Sequence, residues 1–167
     1  FNNFDFISAG SNEFAVRAIG GARFVSGIDP ARGGLPIAGV TLAPGAGAWL
    51  NLSDRSFKQN FSPVDVRETL RKVVGLPVST WNGVAQDPAI RHLGPMAQAF
   101  HAAFGLGEDE RYINSGDMDG VALAAIQGLN QALEEKEARI SRLEAQNAAL
   151  EARLAALEAR LSGGGGP

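Results

Sequence analysis

The chain has 167 residues, a formal net charge of −3 and 45% hydrophobic residues, a composition expected of one ordinary domain or two small ones. It has no cysteine and only two histidines, which excludes disulfides and thiolate metal sites and leaves no histidine pair at metal-ligand spacing. The arginines alternate with glutamates instead of clustering, and no apolar stretch approaches the roughly 20 residues of a spanning helix. Neither a nucleic acid nor a membrane is therefore expected as a partner.

The segment from Phe1 to Leu50 is predicted to form short strands joined by glycine-rich turns. Alternating runs such as Phe14–Ala18 and Ala22–Ser26 are separated by glycine pairs. A segment of this size with few apolar residues hardly buries a core by itself, so we expect it to pack against copies of itself, as the end of a trimeric fibre would. The alternative is a flexible glycine-rich linker. Because Phe1 is not a start methionine, we expect the segment to continue a longer protein.

Residues Asn51 to Phe61 form a junction between this β-rich segment and a helical remainder. They hold Ser53 and Lys58, which are five residues apart. A lysine amine that is neutral can take the proton of a serine nucleophile. The spacing by itself is a weak signal, because both residue types are common on protein surfaces.

Two helices are predicted after the junction. The first opens at Ser62, which can serve as its cap, and ends at Gly75. Val78–Trp81 has the pattern of a short strand, and a second helix is predicted from Pro95 to Phe104. This middle region is expected to supply the largest core of the chain.

From Val121 the sequence predicts a coiled coil whose heptad register has no break. Opposite charges at a g position and the following e position, Arg139 with Glu144 and Arg153 with Glu158, favour parallel neighbours. The seam residues alone do not fix the number of helices. They are Ile126, Leu133, Ile140, Asn147, Leu154 and Leu161 at a, and Leu129, Lys136, Leu143, Leu150 and Leu157 at d.

Several stretches of the chain carry a family resemblance. They are Leu52–Phe61 with Val64–Leu70, Leu76–Asn82, Arg91–Gln98 and Asp119–Leu129, in that order. They resemble the C-terminal intramolecular chaperone domain of phage tail spikes and endosialidases, the peptidase S74 family. Together with the elements above, the resemblance implies an α+β chain with a β-rich N-terminal fibre segment, a small mixed α/β chaperone domain and a C-terminal parallel trimeric coiled coil. The expected boundaries are 1–51 for the end of the passenger or fibre, 52–120 for the chaperone core, 121–161 for the coiled-coil trimerisation helix and 162–167 for a flexible tail.

The resemblance also implies a chemistry for the junction. In that family the domain cuts itself off the protein it helps to fold, so Ser53 would be the nucleophile, Lys58 the general base and Leu52–Ser53 the bond broken. No cofactor or metal is expected. Burial between chains would favour the neutral form of the lysine, so we expect assembly to gate cleavage. The position after the lysine, often acidic in the family, is Gln59 here.

The predicted function is that of an intramolecular chaperone. It would bring three copies of the chain into register, let the upstream passenger of the same chain fold, and then leave by autoproteolysis. The expected location is a virion tail fibre or spike, or the outside of a bacterium. The alternative is a permanent, uncleaved trimerisation module of a fibre or adhesin.

Four further residues invite a functional interpretation. His92 is expected to have a structural role near the junction or a partner chain, and His101 a half-buried packing role on its helix. Asp117 and Asp119 resemble a fragment of a calcium loop, but no glutamate closes the loop where calcium would require one. We expect these two aspartates to cap the long helix instead.

Overall fold

The computed structural model describes residues 9–163. The chain forms two compact units, Phe1–Ser62 and Pro63–Pro167. It is mixed α/β, with two small sheets and one long C-terminal helix, as the sequence predicts. Within the described range, none of the helices contains a stretch long and apolar enough to cross a membrane.

The first unit is built on a three-stranded antiparallel sheet. Strand β1 (Ala22–Asp29) pairs with β2 (Leu35–Leu42), and β2 pairs with the two-residue edge strand β3 (Leu50–Asn51). The strand predicted at Ala22–Ser26 is present and is longer than predicted. The one predicted at Phe14–Ala18 is wrong, because within the described residues it pairs with no other strand, and alternation alone does not hold a strand in water.

A 3₁₀ turn (Pro30–Arg32) connects β1 to β2. The side chain of Asp29 accepts a hydrogen bond from the backbone N–H of Ala31 at 3.0 Å and caps this turn. Gly33 and Gly34 then take φ values of 66° and 77°, a left-handed conformation that costs glycine little. The turn therefore sends the chain back along β1.

The second unit consists of three helices and a two-stranded sheet. Helix α1 (Val66–Gly75) packs against α3 (Ser115–Gly163), and α2 (Ala97–Phe104) contacts α1. Strands β4 (Ser79–Trp81) and β5 (His92–Gly94) pair antiparallel. The ends of α1 at Gly75 and of α2 at Phe104 are those predicted.

The core of the second unit lies among these helices. Its buried apolar side chains, among the described residues, are Phe100 of α2 and Val121 and Ala125 of α3, and Thr69 of α1 is buried with them. Phe100 stacks on Phe104 with ring centroids 5.0 Å apart. The core is small for a chain of this length, so much apolar surface stays exposed in a single copy.

Gly128 sets the distance between α1 and α3. A Cβ atom at this position would lie 2.2 Å from the backbone oxygen of Val66, so only glycine fits. Arg67 crosses the same contact: its guanidinium donates to the backbone oxygen of Gly128 at 3.4 Å and forms a salt bridge with Glu135 at 3.3 Å.

The starts of all three helices differ from the prediction, and α2 begins two residues later than predicted, at Ala97. The N-cap of α1 is Asp65, whose carboxylate accepts from the backbone N–H groups of Arg67 at 3.0 Å and Glu68 at 2.9 Å. The predicted cap, Ser62, is wrong because only the residue directly before the helix reaches these donors.

Helix α3 likewise begins earlier than Val121. Asn114 accepts from the backbone N–H of Gly116 at 2.8 Å, so Asn114 is the capping residue. The prediction that Asp117 and Asp119 cap the helix is wrong, since both lie inside it. Asp117 still stands in the first turn, where the helix dipole favours a negative charge.

The heptad seam of α3 is not the face that packs on the rest of the unit. The buried positions Val121, Ala125 and Gly128 belong to a different face of the helix. We call the apolar seam residues together the seam stripe, and all of them are exposed in a single copy: Ile126, Leu129, Leu133, Ile140, Leu143, Leu150, Leu154, Leu157 and Leu161.

Candidate functional site

The turn that follows β3 brings Ser53 and Lys58 together. The Nζ atom of Lys58 donates to Ser53 Oγ at a distance of 2.6 Å. A 3₁₀ turn over Arg55–Phe57 lies between them, and the backbone N–H of Lys58 donates to the oxygen of Arg55 at 3.2 Å. This turn reverses the chain, so two side chains five positions apart meet as a hydrogen-bonded pair.

Asp54 caps the turn. Its Oδ1 atom accepts from the hydroxyl and from the backbone N–H of Ser56, each at 2.7 Å. These two hydrogen bonds, the hydroxyl's first, hold the pKa of Asp54 below its usual value, and the guanidinium of Arg32 acts in the same direction. The carboxylate is therefore charged at neutral pH, as a strong turn cap requires.

The far end of the turn is also held. Asn60 takes a left-handed φ of 57°, a conformation that asparagine tolerates better than most residues. The guanidinium carbon of Arg55 lies 4.3 Å from the centroid of the Phe61 ring, within cation–π range. Asp54 therefore holds the start of the turn between Ser53 and Lys58, and the contact between Arg55 and Phe61 holds its end.

The Leu52–Ser53 bond lies between the edge strand and this turn. The backbone N–H of Leu52 donates to the oxygen of Gly39 in β2 at 3.2 Å. In a single copy both Ser53 and Lys58 are exposed to water. Burial of the lysine, expected from assembly, would need a neighbouring chain.

The two histidines lie in the second unit and contact local partners. The His92 ring packs against Trp81 with centroids 4.7 Å apart, and its Nε2 atom is 2.9 Å from Gln86 Oε1. His101 is half-buried on α2, with Nδ1 3.0 Å from the backbone oxygen of Leu106. In residues 9–163, no group of three or more His, Asp or Glu side chains is placed to hold a metal ion.

The segment that starts at the serine matches a known family. Residues 53–105 fit the model of Peptidase_S74, described as the chaperone of endosialidase. We call this matched part of the chain, residues 53–105, the chaperone segment. This chaperone segment begins at Ser53, and the stretch Asp119–Leu129, which also carried the resemblance, lies outside it. No curated protein matches the chain significantly.

The match supports a general function but assigns no role to a single residue. Similarity to this family supports a chaperone-type function, peptidase-like self-cleavage and association with a phage tail. The roles of Ser53 and Lys58 as nucleophile and base remain predictions, and the two side chains lie within hydrogen-bond distance of each other.

Two residues of the site were not predicted. Ser56 donates twice to Asp54, and an Asp followed two positions later by Ser is a sequence signal for such a turn. Gly39 holds the N–H of Leu52, and no local signal marks it, because strand pairing alone brings these two residues together.

Proposed function

We propose that this chain is a homotrimeric intramolecular chaperone that folds the upstream end of a fibre or spike and then releases itself by cutting the Leu52–Ser53 bond. The observation that carries the proposal is the 2.6 Å separation of Lys58 Nζ and Ser53 Oγ at the first residue of the chaperone segment. In this scheme residues 1–51 end the passenger, 52–120 are the chaperone core, 121–161 the trimerisation helix and 162–167 a tail.

The proposed cleavage is an acyl shift followed by hydrolysis. Neutral Lys58 takes the Oγ proton of Ser53, and Oγ attacks the carbonyl carbon of Leu52 through a five-membered ring. The peptide C–N bond breaks, the nitrogen of Ser53 takes a proton from Lys58, and an ester joins the carbonyl carbon of Leu52 to Ser53 Oγ. Water then hydrolyses this ester, which leaves a carboxylate on Leu52 and restores the hydroxyl of Ser53.

Assembly is proposed to switch this chemistry on. Both side chains are exposed in a single copy, where water favours the charged lysine, which has no lone pair to accept a proton. A neighbouring chain over the turn would remove that water and favour the neutral amine. Cleavage would then occur only after three chains have assembled.

The seam stripe supports assembly through α3. It runs from Ile126 to Leu161, about 50 Å at about 1.5 Å per residue. An exposed apolar surface of this size on a soluble protein marks an interaction surface. Arg139 and Arg153 form no ion pair within the described residues, so both are available to Glu144 and Glu158 of a parallel neighbour.

This arrangement suits a folding aid for an interchain β structure. Non-local strand pairing between chains is slow and prone to slips of register, whereas a helical coiled coil forms quickly and defines which residues face each other. Autoproteolysis after folding would remove the trimerisation helix and make unfolding hard to reverse.

The test is denaturing mass spectrometry of the refolded protein beside a Ser53→Ala variant, with native mass spectrometry to count the subunits. We expect the wild type to split between Leu52 and Ser53, the variant to stay whole, and both to assemble as trimers. An intact wild-type trimer would overturn the cleavage proposal and leave the permanent trimerisation module. A wild type that does not assemble would overturn the chaperone proposal as well.

A further inference from the structure

The strand that leads into the Leu52–Ser53 bond is held by the upstream hairpin. In β3, Leu50 and Asn51 pair with Thr41 and Val40 of β2. The backbone N–H of Leu52 continues this ladder by donating to the oxygen of Gly39 at 3.2 Å. The residue whose carbonyl would be attacked therefore directly follows the edge strand and is hydrogen-bonded to β2.

Gly39 connects that edge strand to the rest of the sheet. Its φ of 144° lies in a region that glycine alone adopts readily, and a Cβ atom here would lie 2.2 Å from the backbone oxygen of Phe24 in β1. The same residue that accepts from Leu52 thus approaches β1 so closely that no side chain fits. Displacing Gly39 would move the acceptor of the Leu52 N–H.

An apolar groove makes a second connection between the hairpin and the turn. Leu52, before the bond, and Phe57, in the 3₁₀ turn, line one shallow cavity of about 280 Å³ together with hairpin residues such as Val25, Leu35 and Val40. The two sides of Ser53 therefore rest on the same surface of the sheet. The position of the bond depends on the hairpin through both the backbone and the side chains.

We propose that the β1–β2 hairpin is a conformational gate for cleavage, with Gly39 as a positioning residue. This inference rests on the proposed cleavage at Leu52–Ser53. Attack within a five-membered ring requires the Leu52 carbonyl to face Ser53 Oγ, and a peptide held in a ladder meets that requirement far more often than a free chain. A chain whose upstream hairpin has not formed would keep its chaperone attached, so release would follow folding of the segment that the chaperone serves.

We expect small changes in the hairpin to alter the cleavage rate. Strand β3 has only two residues and lies at the edge of the sheet, and short edge elements open locally at little free-energy cost. The hairpin also precedes residues 53–105, so this device belongs to the part of the chain upstream of the chaperone segment.

The experiment compares Gly39→Ala with the matched control Gly47→Ala in the full chain. A Cβ atom at Gly47 would meet nothing within 4 Å. By time-resolved denaturing mass spectrometry, we expect Gly39→Ala to slow cleavage at least about tenfold and Gly47→Ala to stay within about twofold of the wild type. Native mass spectrometry must show the same subunit number for all three proteins.

A crosslink then separates strand presentation from general damage to the hairpin. Val40 and Asn51 face each other next to the hydrogen-bonded Gly39–Leu52 pair, so they form a non-hydrogen-bonded pair with Cα atoms about 4.5 Å apart, which a disulfide can span. The chain has no other cysteine to interfere. In the Gly39→Ala background, Val40→Cys with Asn51→Cys is expected to recover at least about fivefold of the rate when oxidised and to lose it on reduction.

The results distinguish failure of the gate from failure of the proposed cleavage. Cleavage of Gly39→Ala at the wild-type rate, or a formed disulfide that restores nothing, overturns the gate while leaving the proposed function standing. A wild type that is never cut overturns both.

Discussion

Asp54 Oδ1 accepts two hydrogen bonds from Ser56, one from its backbone N–H and one from its hydroxyl, each at 2.7 Å. These two hydrogen bonds cap the turn between Ser53 and Lys58. We predict that Asp54→Ala loosens the turn and slows cleavage about tenfold, because the two reacting side chains are no longer held together. The cleavage rate by mass spectrometry checks this. Asp54→Asn, which keeps an oxygen acceptor, should lose less, and equal rates for Ala and Asn would contradict the role of the cap.

The same hydrogen bonds predict how the cap depends on pH. They hold the pKa of Asp54 below its ordinary value of 3.8, so the carboxylate stabilises the turn fully above that value and loses this effect as the pH falls through the lower, folded-state pKa. Titration of the Asp54 carboxyl carbon by NMR in the uncut Ser53→Ala variant should show a midpoint below 3.8. Ser56→Ala should move the midpoint up towards that value; no movement would show that Ser56 is not its cause.

Lys58→Arg tests whether the amine acts as a base or only as a positive partner of Ser53. Arginine keeps the charge and the donors but does not give up its proton in proteins, so it has nothing to accept the hydroxyl proton with. We predict a loss of at least about 100-fold in cleavage rate, within the usual contribution of a general base. Lys72→Arg, in helix α1, is the control and should cut normally. Normal cutting by Lys58→Arg would remove the base from the mechanism.

Leu143→Asp tests the link between assembly and cleavage. The substitution places a charge in the middle of the seam stripe, where it would have to be buried between helices, a costly change. We expect native mass spectrometry to show mostly single chains and cleavage to become slow and dependent on protein concentration. Ala145→Asp, on the same exposed helix but outside the seam, should assemble and cut like the wild type. A fast, concentration-independent rate in the monomeric variant would exclude gating by assembly.

Gly128→Ala tests the contact between α1 and α3. The new methyl group would meet the backbone oxygen of Val66 at 2.2 Å, so the helices must separate, and we expect a loss of about 1–3 kcal/mol in the free energy of unfolding. Gly120→Ala is the matched control on the same helix: nothing lies within 4 Å of its Cβ position. The control should gain up to about 1 kcal/mol from helix propensity. Chemical denaturation of both in the Ser53→Ala background, at one protein concentration, measures the difference.

Local sequence patterns predicted where helices α1 and α2 of this protein end, but not where the helices begin. Helix α1 ends at Gly75, and Gly105, whose φ of 64° is left-handed, follows the last residue of α2. The heptads from Ile126 onward predict one continuous helix with an apolar seam. Ser53 and Lys58 were also predicted as a pair from the sequence, through the family pattern around them, and their roles in cleavage stay a prediction. All of these depend on residues close together in the chain.

The tertiary structure alone decided features that depend on residues far apart or on competition between neighbours. Asp65 and Asn114 cap their helices in place of Ser62 and the two aspartates, because the position of the first helical turn selects the cap. The edge strand before Ser53 pairs with Val40 and Thr41, and Gly39 holds Leu52, because strand register determines which backbone groups meet. The sequence alone determined that Ser53 and Lys58 could act as a pair; their 2.6 Å approach required the turn that Asp54 and Ser56 close, a geometry that spacing alone does not specify.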